Sequence, residues 1–346
     1  MFRRFFLAAT LISVSLGSGL IYLTSLWQQT LNLAEASSVL TIQPGESLHQ
    51  VLSRAEARGW LRGASWIGRL AQWQGTDGKI QTGEFRIRDD MTVEELIQHL
   101  ATGQVVQYQI TIPEGVTLQA AIALLREHPK LTATPADALN ATLSSWVSPA
   151  MSPEGWFLPE TWSFSAGNTD AEILGRAHKA MERLLSTLWG SRARDLPLAS
   201  PYEALILASI VERETAEPRE RGQIAGVFLR RLLKGMRLQT DPTVIYGLGE
   251  SYDGNLRRAH LRDSHNSYNT YVIKGLPPTP IALPGEASVR AVFNPDDSNA
   301  LYFVAKGDGT HAFSASLEEH EENVRRYQLA RRADYRSTPE RSAQER

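Results

Sequence analysis

Cysteine is absent from the 346 residues. Disulfides, thiolate metal sites and cysteine nucleophiles are therefore excluded. The absence is compatible with an oxidising compartment but does not require one. Excess charge is also missing: 36 lysines and arginines stand against 38 aspartates and glutamates, a net charge of −2. No basic surplus exists to hold a nucleic-acid backbone. No cluster with metal-ligand spacing appears, so neither a metal nor a cofactor is implied. What is present is enough chain for two domains and an appendage, with 42% hydrophobic residues to build cores. Eight tryptophans and ten tyrosines add a generous aromatic supply, used for packing or for sugar-facing surfaces.

One long uncharged run stands out. Arg3 and Arg4 form a short stub (1–4), and residues 5–27 then carry no charge. That is the length a bilayer requires. Phe5, Phe6, Tyr22 and Trp27 flank it as interfacial aromatics do. The arginines predict a cytoplasmic amino terminus, a single inner-membrane span and a periplasmic remainder. Ala34-Glu35-Ala36 offers a signal-peptide cleavage site as the alternative. The apolar run is longer than a signal core and lies well upstream of that site, which favours a retained anchor. Residues 28–38 read as a polar tether.

Residues 39–105 read as a small α/β subdomain. A strand at Val39–Ile42 turns at Pro44-Gly45, and Ser47 caps a helix carrying Leu48, Val51, Leu52 and Ala55. A second helix is expected over 60–73, a returning strand at 83–87, and a helix capped by Thr92 and closed by Gly103. This strand–helix–helix–strand order, with PGESLHQV at its front, resembles a LysM-type glycan-binding module. A plain spacer is the bland alternative.

Residues 106–333 read as an α+β region. A strand over 104–112 leads through Pro113-Glu114-Gly115 to a helix at 117–126. Residues 128–150 are loop-rich with weak helical pieces. EGWFLPETWSF (154–164) can line a sugar cleft or lid a core. Helices follow at 170–189 and 222–234, with the Glu212 helix, capped at Ser200, between them. Gln239, Thr240 and Asp241 place three hydrogen-bonding side chains before Pro242, where Asp241 can also cap a helix. A proline track (276–284) can wall a groove. Residues 300–305 and 311–313 form a hairpin, in which His311 titrates or is structural. Residues 317–333 form a charged helix, and 334–346 have the composition of disorder.

The organising stretch is the helix around Ala204–Val211, which carries no charge and one hydroxyl. Leu205, Ala208, Ser209 and Glu212 share a face. A carboxylate held against apolar side chains resists ionising, as a proton donor at neutral pH must. Glu214 lies about 200° further round and is expected to face elsewhere. The competing reading has Glu212 at the rim of a core helix, paired with Arg213, Arg219 or Arg221.

ASIVERET (208–215), GMRLQTDPTVIYGLG (235–249), SYNTY with GLPPTPIALPG (267–285) and LYFVAKGDGTHAF (301–313) together resemble the bacterial endolytic murein transglycosylases. The resemblance covers residues 39–330. It departs at His265-Asn266-Ser267, where proline is frequent, at Glu160, the acid of a PDT element, and at Leu283, where asparagine is usual. It implies an α+β lytic transglycosylase domain that cuts the MurNAc–GlcNAc bond of nascent strands without water. That reaction leaves 1,6-anhydro-MurNAc ends and terminates elongation. It assigns the catalytic acid to Glu212, and Gln239, Thr240, Asp241, Tyr268, Asn269 and Glu160 become candidate glycan contacts. The implied partners are peptidoglycan strands and the synthases that make them. A hydrolytic muramidase and a non-catalytic wall-binding scaffold are the alternatives.

Overall fold

The computed structural model describes residues 2–35, 37–193 and 195–329. In chain order these form α1 (Phe2–Trp27), β1 (Ser37–Ile42), α2 (Leu48–Ala57), α3 (Ala64–Trp73), β2 (Gly83–Arg88), α4 (Val93–Thr102), β3 (Gln107–Thr111), α5 (Leu118–Glu127), α6 (Ala136–Trp146), β4 (Thr161–Ser165), α7 (Asp170–Gly190), α8 (Pro201–Glu214), α9 (Arg221–Leu233), α10 (Asp241–Leu248), α11 (Arg258–Arg262), α12 (Glu286–Phe293), β5 (Tyr302–Ala305), β6 (His311–Ser314) and α13 (Leu317–Val324). The strands pair as β1 with β2, β3 with β4 and β5 with β6. The chain divides into two compact units: Met1–Gln109 with Lys130–Thr132 and Ser163–Asn168, and the remaining residues.

In the first unit, β1 and β2 run antiparallel, with Leu40 opposite Phe85. The expected strand–helix–helix–strand order is present. Ser47 with Gln50, and Thr92 with Glu95, form capping boxes that satisfy the first backbone N–H groups of α2 and α4. Leu40, Val51, Leu52, Phe85, Ile87, Leu96 and Leu100 fill the core. Glycine at 63 takes a left-handed φ of 77°, and α3 starts only after it, at Ala64 rather than residue 60.

The tether is not loose. Leu26, Trp27 and Leu31 are buried in this same core. Leu31 N–H donates to Met91 O (2.8 Å), Asn32 N–H to Trp60 O (2.8 Å), and Val93 N–H to Gln29 O (3.0 Å). The Gln29 amide bridges to Arg62 through both its atoms. Polar composition suggested a linker, but these side and main chains close the first unit instead. Among the described residues no helix is long and apolar enough to cross a membrane. The side chains of residues 2–9, 11–14 and 16 lie outside the described ones, and these include ten of the 23 residues of the expected span. Residues 330–346, the end of the charged helix and the tail, also lie outside.

In the second unit α8 is the hub. Its residues Ala204 to Val211 are all buried, on every side of the helix, the signature of a helix surrounded by protein. Helices α7, α9, α10 and α12 pack around it. Ser200 caps its start, accepting from Glu203 N–H, with Pro201 in the first turn. α6 is a full helix where only weak pieces were expected, its apolar Leu139 and Leu143 buried. Buried Arg231 of α9 donates to the carbonyls of Leu301 (2.7 Å) and Leu238 (2.8 Å), tying β5 and the 237–239 loop to the helix. α13 is followed by a wider turn over Arg325–Leu329.

Candidate active site

Two carboxylates leave the end of α8 in different directions. Glu212 accepts the Gly285 N–H at 3.0 Å. An Arg221 guanidinium nitrogen lies 4.0 Å from its other oxygen and 3.6 Å from Glu114. Burial, and then the charge of Glu212, hold the Glu114 carboxyl above its usual range. The same face of α8 clamps the end of the proline track: Ile281 N–H donates to Ser209 Oγ at 3.0 Å. Gly115 N–H and Leu283 N–H exchange bonds with Leu283 O (2.9 Å) and Val116 O (2.8 Å). A Cβ on Gly285 would fall 1.9 Å from a Glu114 oxygen, so a larger residue there would displace that carboxyl group. Glu212 thus sits with an arginine and a backbone donor, in the arrangement of the competing reading.

Glu214 has the opposite surroundings. The Thr240 hydroxyl donates to its carboxyl group. Burial pushes its pKa up to about 7; the Asp241 charge adds to the rise, while Thr240 and His311 oppose it. It lines a cavity of about 510 Å³ with Arg231, Gln239, Asp241, Tyr271, Tyr302 and His311. A carboxyl group with that pKa is largely half protonated at neutral pH, as a general acid must be.

The 239–241 turn is built to reach this cavity. Gln239 has φ 55°, the one positive φ at a non-glycine among the described residues. Such a backbone costs of order 1–3 kcal/mol and persists only when its surroundings impose it. Here Gln239 N–H donates to Thr270 O (3.1 Å) and Thr240 N–H to Thr270 Oγ1 (3.0 Å). Thr243 Oγ1 donates to Thr240 O at 2.8 Å. Asp241 does not cap α10; its carboxylate accepts the Tyr271 hydroxyl at 2.6 Å, and the N-cap position falls on Thr240.

Gln239, Thr240 and Asp241 therefore gather at Glu214, whereas the remaining candidates do not. Asn269 is fully buried. Its amide donates to His260 O (3.1 Å) and Asp263 O (2.8 Å) and accepts from Tyr271 N–H (3.1 Å). It braces the loop and has no donor left for a sugar. Tyr268 pairs its hydroxyl with Thr279 at 2.8 Å and packs edge-on against Tyr246. Glu160 accepts from its neighbour Thr161 N–H at 3.3 Å, with Ile112 N–H on its carbonyl at 3.0 Å.

The EGWFLPETW segment resolves toward the core. Phe157 is fully buried, and Trp156 stacks between His178 (5.8 Å) and Tyr202 (6.1 Å). Its first acid, Glu154, is buried too. Leu118 N–H (2.9 Å) and the Tyr246 hydroxyl (3.3 Å) donate to it, and burial pushes its pKa up to about 7. Glu154 lines a second cavity of about 720 Å³ with Glu114, Arg213, Pro242, Tyr246 and Glu250. Sequence reasoning singled out His311 without giving it a site, missed Tyr271 and Glu154, and set Glu214 aside. A signal was present: LQTD directly follows a helix that follows α8, so the turn returns to the end of α8.

The α+β fold thus offers a protonatable carboxyl group to a polar, tyrosine-edged cavity. The chain belongs to the YceG-like family, which it matches over residues 40–326. It is 27% identical over 332 residues to the endolytic murein transglycosylase of Bacillus subtilis (strain 168), covering 90% of this chain and 91% of that one. It is 26% identical over 319 residues to the endolytic murein transglycosylase of Streptococcus pneumoniae serotype 2, with 82% of this chain matched to 57% of that protein. The crystal structure of a YceG-like protein from Listeria monocytogenes superposes with a TM-score of 0.53 at 28% identity, covering 84% of this chain and 99% of that one.

Proposed function

We infer that this protein is a peptidoglycan lytic transglycosylase and that Glu214 is its acid. The observation that carries the assignment is the half-buried Glu214 carboxyl group, bonded by Thr240 and facing the cavity shared with Gln239 and Asp241. The names of the relatives support the substrate class.

Glu214 gives its proton to the oxygen joining MurNAc to GlcNAc, and that bond breaks as positive charge develops at the anomeric carbon. The sugar's own acetamido oxygen stabilises this charge, replacing the second carboxylate most glycosidases use. The Glu214 carboxylate, still bonded by Thr240, then takes the proton of the same sugar's C6 hydroxyl. The C6 oxygen attacks the anomeric carbon and closes a 1,6-anhydro ring. The enzyme recovers its proton and no water is consumed. Intramolecular attack has a large effective-concentration advantage over outside nucleophiles. Gln239 and Asp241 orient the glycan. Internal cuts in nascent strands end their elongation.

Glu212 is the second reading. Its Cγ would lie 3.7 Å from a Cβ on Gly115, a residue lining the 720 Å³ cavity. The decisive test digests uncrosslinked glycan of known length with the wild type, Glu214→Gln and Glu212→Gln, following products by mass. Anhydro ends on long fragments, lost in Glu214→Gln alone, are expected. Ends carrying added water would make the protein a muramidase. Binding without cleavage would make it a scaffold, and loss in Glu212→Gln alone would move the acid.

The proposed setting is the inner membrane, with residues 5–27 as a single span and the catalytic unit in the periplasm beside the synthases. The uncharged run after Arg3 and Arg4 supports it. A reporter fused after Arg346 should be active only if it folds outside the cytoplasm. The first unit adds a LysM-like second grip on the glycan, supported by its element order and by exposed Trp66 and Trp73 on α3.

A further inference from the structure

His311 stands in β6, opposite Ala305 of β5, and lines the Glu214 cavity. Its ring and its backbone are both fixed by one buried carboxylate. Glu220 accepts His311 Nδ1–H at 2.7 Å and His311 N–H at 2.8 Å. Thr215, the residue after Glu214, holds the same Glu220 carboxylate at 3.5 Å. Nδ1 is therefore taken, and Nε2 is the nitrogen left for the cavity. The imidazole also packs edge-on against Phe303, at 5.4 Å and 88°, so it cannot swing away without uncovering that ring.

We propose that the Glu220–His311 pair is the charge control of the active site: His311 positions a switchable positive charge opposite the acid Glu214. This rests on Glu214 being the acid. The role follows from the needs of one carboxyl group that works twice. Before bond cleavage Glu214 must hold a proton; after cleavage it must persist as a carboxylate until the C6 hydroxyl gives one up. A fixed cation would strip the proton too early. With no cation, only the Thr240 hydroxyl and the buried setting would receive the new anion. An imidazole that gains or loses charge near neutral pH serves both states.

The other charged and titratable groups facing the cavity cannot substitute. Arg231 of α9 is permanently charged and spends its donors on the carbonyls of Leu301 and Leu238. Asp241 of α10 is bound to Tyr271, and burial raises that tyrosine's pKa away from neutrality. Tyr302 of β5 stacks on His320 of α13, where burial and the Arg231 charge oppose protonation of that imidazole. His311 is the one with a carboxylate partner and a direct charge effect on Glu214, which it lowers.

The test is the pH profile of kcat on soluble glycan for the wild type, Glu214→Gln, His311→Gln, Glu220→Gln and the His311→Gln/Glu220→Gln double variant. Glu214→Gln must be inactive; if it is active, the acid has been misassigned and the parent reading fails. With that control in place, His311→Gln should move the alkaline limb upward by about one pH unit, because an opposing positive charge is gone. Glu220→Gln should move it in the same direction by less, because the imidazolium loses its partner. The double variant should match His311→Gln alone, with KM nearly constant throughout. A limb that stays in place in both single variants, or activity that falls equally at every pH, would overturn the inference and leave the pair a structural brace. Should His311→Gln fail to fold, the near-isosteric Glu220→Gln decides by the same criterion.

Discussion

Glu212 and Glu214 are two residues apart on one helix, and their surroundings differ as sharply as two carboxylates can. Glu212 meets a backbone N–H and shares Arg221 with Glu114. Glu214 meets the Thr240 hydroxyl, with Asp241 adding negative charge and burial withholding water. Burial raises the Glu214 pKa to about 7, so its carboxyl group can hold and release a proton near neutrality. Chemistry is thus assigned by what the side chain faces and not by how apolar its own helix is.

The largest expected effect would break this contrast outright. Glu214→Gln should lower kcat by roughly a thousandfold while the melting temperature stays near that of the wild type. Glu212→Gln in the same assay should stay within a few-fold of wild type; comparable losses in both variants would erase the distinction.

Stability against pH sharpens it next. Glu154 and Glu214 both have folded pKa values raised to about 7. The folded protein therefore holds more protons than the unfolded chain between the ordinary carboxyl range and pH 7. The associated stability is fully present below pH 4 and is lost as pH rises through 7, by an order of about 3 kcal/mol for each group. Denaturant melts at pH 5 and pH 8 should show this fall. Glu154→Gln, with an amide that keeps an acceptor for Leu118 N–H, should flatten it. An unchanged slope would mean that Glu154 stays charged.

Thr240→Val tests the bond to the acid while keeping shape. Without the hydroxyl, the Glu214 carboxylate left after proton transfer loses its donor, and kcat should fall about tenfold to a hundredfold with KM little changed. A pure KM effect would place Thr240 on the sugar instead. The smallest effect on the pH profile belongs to the other face: Arg221→Gln should leave the alkaline limb where it was, while melts lose about 3 kcal/mol because the buried Glu212 carboxylate loses its cation. A moved limb would connect the Glu212 face to the chemistry after all.

Much of this molecule was legible in its residues. The caps at Ser47, Thr92 and Ser200, the strand–helix–helix–strand order of the first unit, the hairpin whose second strand starts at His311 and the grouping of Gln239, Thr240 and Asp241 all come from local rules: capping side chains, period and turn residues act within a few positions. Residues 28–38 read as a tether because composition reports solubility, while Gln29, Leu31 and Asn32 within them bond to backbone groups far along the chain. Asn269 looked like a sugar ligand because an amide's type is visible and its partners are not.

The face of α8 that carries the proposed acid was not legible in that way. An apolar stripe marks the inner side of a helix only when its other side meets water, and α8 meets protein on all sides. Its sequence therefore determined that a carboxyl group would emerge at the end of a buried helix, and that a QTD turn would follow. Glu214 rather than Glu212 is the proposed proton donor because α10 and β6 bring Thr240, Asp241 and His311 to one side, and the proline track brings Gly285 to the other. Desolvation and neighbouring charge set a pKa, and both are properties of the assembled interior.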